Sequence, residues 1–165
     1  MVDLGKRPSR WHKLQRRTWA ERWLLVEAAW WLAFMTAALR LVSFKRVMAW
    51  LGLELATEAQ PGSISVPRPE ITTIGWAVRA VAAPIPGKGT CLAQALAAVQ
   101  MLRRRGFGDF VLTLGVALAP EEGKPGIEAH AWLRYGDKIL TGGAGHQRFK
   151  PISTFTGSVN QKRLP

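Results

Sequence analysis

The chain has 165 residues, 48% of them hydrophobic and 21% charged, a balance that suits one folded domain with room for a modest second module and excludes a disordered chain. Lys and Arg number 23 against 11 Asp and Glu, a formal net charge of +12 that points to an acidic or anionic partner. One cysteine (Cys91) and three histidines (His12, His130, His146) exclude an internal disulfide framework and a cysteine-rich zinc site, so no metal or cofactor is expected.

Residues 1–56 read as a helical N-terminal region. From Trp11 to about Leu51 there is no Pro or Gly, which favours one long helix. Trp19, Trp23, Val26, Trp30, Ala37 and Leu41 recur at three- and four-residue steps, as one helical face requires. The other face is apolar too, with Leu24, Trp31, Phe34 and Ala38. A buried core helix is the first reading, and an interfacial or partner-binding helix the second. The uncharged run Ala28 to Leu39, bracketed by Glu27 and Arg40, falls short of the roughly 20 residues a membrane span needs. No cleavable signal pattern precedes it, so a cytoplasmic, reducing setting is the default.

Residues 57–69 (TEAQPGSISVPRP) form a linker, since three prolines, a glycine and two serines leave no periodic apolar face. Residues 70–165 then read as a second unit. A short helix is expected over Glu70 to Ala83, followed by the rigid loop APIPGKGT. Thr90 is the expected N-cap of the next helix. Leu92, Ala95, Leu96, Val99 and Leu102 make its apolar stripe, and Arg103, Arg104 and Arg105 suit the negative end of its dipole before Gly106 stops it. Phe110, Leu112, Leu114, Val116 and Leu118 alternate as a half-buried strand. A polar loop, APEEGKPG, leads to a second strand over Glu128 to Tyr135. Gly136-Asp137 is a tight turn before a third strand, Lys138 to Thr141. A helix followed by an antiparallel meander is an α+β arrangement.

Chemistry concentrates on two residues. Cys91 falls in the first turn of its helix, where free amide N–H groups and the positive end of the dipole suit an anionic nucleophile, with Lys88 nearby. The bland alternative is a small buried hydrophobe. His130 lies on a strand among small and aromatic neighbours, where an imidazole can hold a proton and later deliver it to a leaving amine. Its bland alternative is a satisfied core histidine. Gln94, one turn after Cys91, is a candidate donor to an oxyanion. His12 and His146 read as solvated.

The strings TCLAQALAAVQMLRRRG, FVLTLGVAL and EAHAWLRYGDKILTGG, in that order, resemble the bacterial lasso-peptide leader peptidases. These form the transglutaminase-like C-terminal domain of the microcin-maturation protein McjB. The resemblance covers about residues 70–155. It implies a transglutaminase- or papain-like core in which the Cys-bearing helix packs on an antiparallel sheet. It also implies a cysteine peptidase, with Cys91 as nucleophile and His130 as general acid and base. The reaction implied is removal of the leader from a ribosomally made precursor. The partners implied are that precursor, a separate leader-recognition protein and a lasso cyclase.

The family's third catalytic residue is an aspartate about twelve residues after the histidine, and Gly142 stands there. Thr141 beside it points to the other face of a regular strand. Asp137 sits at the hairpin tip, about 20 Å from His130 along the strand. A backbone carbonyl, a water, Glu128 or Gln94 is left to orient the ring. An aspartate restored at position 142 is expected to raise the rate if the neighbouring strand has room. Two alternatives stay open. One is a basic protein that binds nucleic acid or an anionic membrane surface without chemistry, although no nucleic-acid motif is present and the favoured partners include no nucleic acid. The other is an acyl transferase on the same fold.

Overall fold

The computed structural model describes residues 18–56, 68–85, 90–121 and 124–157. Helix α1, Trp19–Leu41, opens on a capping box: the Glu21 amide donates to Thr18 Oγ1 (3.3 Å), and the Thr18 amide donates to the Glu21 carboxylate (3.1 Å). The expected single long helix is broken. Val42 is extended and Ser43 starts a second helix, α2, Phe44–Trp50. No Pro or Gly marks the break. Val42 and Ser43 are both extended, with no side-chain cap from Ser43, and the turn carries Val47, Met48 and Leu51 into the core. It also brings Trp50 back against Phe34 (ring centroids 5.6 Å apart) and Trp31 (6.5 Å). Residues 11–17 of the expected helix lie outside the described residues.

The face of α1 that is buried is Ala28, Leu32 and Met35. The tryptophan stripe is the open face, with Trp19, Trp23 and Trp30 all exposed. The helix read first as a buried core helix is thus buried along one face and open along the stripe. Packing decides it, because Ala28, Leu32 and Met35 are the residues that meet the two helices that follow.

Those helices are α3, Pro69–Ala82, and α4, Thr90–Arg104. Pro69 occupies the first turn of α3, where its missing N–H costs nothing. Arg105 on the end of α4 is held to α1 by a paired contact with Glu27 (2.6 Å), and Arg104 lies 3.8 Å from the same carboxylate.

The sheet is antiparallel, in the order β1-β5-β2-β3-β4. Its strands are β1 (Leu53–Leu55), β2 (Phe110–Glu121), β3 (Lys124–Tyr135), β4 (Lys138–Thr141) and β5 (Lys150–Gly157). β2 and β3 pair without a register shift from Phe110↔Tyr135 to Glu121↔Lys124, so the expected polar loop is mostly strand. Strands β1 and β5 were not expected. β1 from the N-terminal helical region closes the sheet against β5, and one core cluster takes residues from α1, α2, α3, α4 and the sheet.

Side-chain alternation divides β2 and β3 into two faces. Phe110, Leu112, Leu114, Ala131, Leu133 and Tyr135 belong to the core under the helices. Thr113, Gly115, His130 and Trp132 face the other way. The β4–β5 connection, which includes a 3-10 turn at His146–Arg148, crosses this outer face and lays His146 over Trp132 and Phe149 over His130.

Helix α3 seats on edge strand β4 through Gly75. A Cβ there would meet the Leu140 carbonyl oxygen at 2.9 Å and its Cα at 3.1 Å, and both are backbone. Alanine in a helix interior normally gains about 0.8–1 kcal/mol over glycine. Overpacking against backbone costs about 1–3 kcal/mol. Gly75→Ala is therefore expected to destabilise, and a lowered urea midpoint with an unchanged slope is the expected result.

Candidate active site

The N-terminal turn of α4 positions the thiol. Thr90 is its first helical residue rather than the cap, and its hydroxyl accepts a hydrogen bond from Gln94 Nε2 (3.1 Å). Gln94, the expected oxyanion donor, thus has one amide proton committed within its own helix. Cys91 is half-buried, unbonded to another cysteine, and packed at the rim of the core. The first four amides of any helix lack an intrahelical acceptor, so the backbone around Cys91 supplies donors for a developing negative charge. Lys88 lies outside the described residues.

His130 is held by three groups. The Gly142 carbonyl oxygen lies 2.8 Å from Nε2. A carbonyl only accepts, so Nε2 donates and Nδ1 is the basic nitrogen. The ring stacks on Phe149 at 4.7 Å and lies near-parallel to Trp132 at 6.1 Å. Arg148 covers the Phe149 ring at 4.7 Å and binds the Glu128 carboxylate at 2.7 Å. Glu128 is thereby committed to Arg148 and does not reach the imidazole. His146, read as solvated, is half-buried, with Nδ1 2.8 Å from the Gly143 carbonyl and its ring 5.8 Å from Trp132.

Thr141 pairs with Leu133 and so faces the helical side, away from His130. It is fully buried, and its hydroxyl has no hydrogen-bond partner in the structure. Asp137 is exposed in the β3–β4 turn. Gly142 has φ +70°, and a Cβ there would run into the Ala131 carbonyl and come within 2.9 Å of Trp132 Cα. The room on which a gain from an aspartate at 142 was conditional is therefore absent. The main chain approaches β3 too closely, and its own carbonyl takes the place beside the ring.

The structure gathers His130, Trp132, His146, Arg148 and Phe149 on the outer face of the sheet. It leaves Cys91 with the helices on the other. No Cys91–His130 hydrogen bond is present among the described residues. Trp132 was within reach of sequence reasoning, because it shares the histidine's strand face at a spacing of two. The crossover residues Phe149, His146 and Arg148 carry no local signal. Among the described residues no group of three His, Cys, Asp or Glu side chains converges to hold a metal ion.

A Cys-bearing helix packed on a five-stranded antiparallel sheet defines an α+β domain of the transglutaminase type. The family model described as "Transglutaminase-like superfamily" matches residues 31–154, from within α1 to within β5, and the chain belongs to that superfamily. Its members include cysteine peptidases and acyltransferases. No curated protein and no solved structure matches the chain.

Gly142→Asp forces a side chain onto a left-handed backbone position and into β3. A stability loss of about 1–3 kcal/mol from the backbone strain alone is expected, with no gain in turnover. Chemical denaturation and a rate measurement on the same sample check both.

Proposed function

We propose that this protein is a cytoplasmic cysteine peptidase that removes the leader from a ribosomally made precursor during lasso-peptide maturation. The observation that carries the reading is Cys91, the chain's one cysteine, half-exposed in the first turn of the core helix of a transglutaminase-like domain. The Cys91 thiol gives its proton to His130 Nδ1, its sulfur attacks the scissile carbonyl, a C–S bond forms, and the tetrahedral oxyanion takes hydrogen bonds from the backbone of the helix start. His130 protonates the leaving amine as the C–N bond breaks. It then takes a proton from water, whose oxygen attacks the thioester; the C–S bond breaks, the leader leaves as a free acid, and the sulfur takes the proton back.

Nδ1 is the atom that moves the proton, since Nε2 is committed to the Gly142 carbonyl. That carbonyl does what a third carboxylate would do, fixing the tautomer and ring plane. In the described conformation the imidazole stands across the sheet from the thiol. Catalysis by this pair therefore requires more than opening of the Phe149 stack: β3 must turn the ring toward the helix start, within about 3 Å of the reacting atoms. Leader recognition is assigned to a separate protein acting in trans, with the lasso cyclase downstream.

The same separation favours a second reading, a protein of this fold that binds without chemistry. An acyl transferase would pass through the same thioester and is distinguished by its product, a new amide in place of a free acid.

Mass spectrometry of precursor mixed with the full chain and the leader-binding protein separates these. Cys91→Ala and Cys91→Ser are expected to abolish cleavage with the fold retained. His130→Ala is expected to slow single-turnover cleavage by about 10²–10⁴-fold. Wild-type rates in the Cys91 variants would overturn the peptidase reading. Wild-type rates in His130→Ala alone would remove that residue from the mechanism.

A further inference from the structure

Helix α1 has two apolar faces, and the fold uses one. At 100° per residue, Ala28, Leu32 and Met35 point into the core. Trp19, Trp23, Val26, Trp30, Ala37 and Leu41 fall within an arc of about 60° on the opposite side. Trp19 is 74% exposed, Trp23 67%, Trp30 66% and Leu41 84%. Such a stripe along one straight helix exceeds the scatter of single apolar residues found on ordinary surfaces. Phe34 and Trp50, packed on each other and both exposed, widen it at the α2 end.

The stripe has arginine on one flank and Glu27, paired with Arg104 and Arg105, on the other. Arg22 and Arg40 lie on the same flank, about 70° from its centre. Arg22 sits over the Trp19 ring at 5.5 Å. Lys45 and Arg46 are exposed on α2 just beyond Leu41. The two carboxylates of α1 are engaged elsewhere, Glu21 in the capping box and Glu27 with Arg104 and Arg105.

We infer that this stripe seats the protein on an anionic lipid surface, with α1 lying in the plane of the interface. Three tryptophans at one depth suit the headgroup boundary, where the indole buries its ring and keeps its N–H wet. The flanking arginines meet lipid phosphates, and the +12 chain is drawn to the same surface. A second copy is a poorer occupant, because stripe-to-stripe docking brings two such chains, with their arginines, together. By length and composition α1 would also pass for a membrane span. A span would have to pull Ala28, Leu32 and Met35 out of the core, whereas lying flat leaves the fold untouched.

The test uses the purified full chain and vesicles of phosphatidylcholine alone or mixed with phosphatidylglycerol. Co-sedimentation with the mixed vesicles, release by high salt or carbonate, and quenching of tryptophan emission by brominated lipid are expected. Trp23→Ser/Trp30→Ser and Arg22→Glu/Arg40→Glu are each expected to weaken vesicle binding about tenfold or more, with circular dichroism unchanged because these side chains are outside the core. Failure to bind the mixed vesicles would overturn the proposal, as would undiminished binding by both variants. Retention in the carbonate-washed pellet would point to a span and overturn it. A dimer in light scattering that the Trp23→Ser/Trp30→Ser variant dissolves would assign the stripe to a second copy and overturn it too.

Discussion

The unshifted pairing of β2 with β3 is the constraint on which the rest of the molecule depends. Because side chains alternate along a strand, one register assigns every residue of both strands to a face. Leu112 opposite Leu133 and Phe110 opposite Tyr135 commit one face to the helices. Gly115 opposite His130 and Thr113 opposite Trp132 are then committed to the other. A slip of one residue would expose Leu133 and bury Arg134, so the burial of the helical layer also fixes where the imidazole stands.

Two layers follow from that choice. The larger is the aliphatic core between α1, α3, α4 and the sheet. The smaller is an aromatic cover on the outer face, made because β4 and β5 sit on opposite sides of the β2–β3 pair. The chain must cross both strands to get from one to the other. It does so at the level of His130 and Trp132, so a connection imposed by topology also encloses the histidine. Glu128, Arg148 and Phe149 tie that crossing down from above.

Much of this was legible in the residues. Helices α3 and α4 announce themselves by the end of the proline-rich linker before Glu70, the apolar stripe from Leu92 to Leu102, and the arginines before Gly106. Strands β2, β3 and β4 announce themselves by alternation and by Gly136-Asp137. Strand β5 does not. It carries Lys150, Pro151, Ser153 and Thr154, and the register shift opposite Leu114 and Gly115 leaves Ile152 without a partner and exposed. A strand with a proline beside a bulge reads as loop when its neighbours are unknown. The face of α1 was illegible for another reason. Periodicity finds a helix but does not choose between two apolar faces, and the choice came from packing against α3 and α4. The positions of Cys91 and His130 along their elements followed from sequence, whereas their placement on two sides of the sheet needed the register.

The group that holds the imidazole proton is the main-chain oxygen of Gly142, not a side chain. A side-chain scan of the chain would pass over it, since every substitution at that position leaves the carbonyl in place and changes only what surrounds it. Sequence drift is equally blind to it: the acceptor survives any replacement that the left-handed backbone tolerates. Only an alteration of the peptide link itself, such as an ester in place of the Gly142–Gly143 amide, would weaken the acceptor without adding an atom to β3.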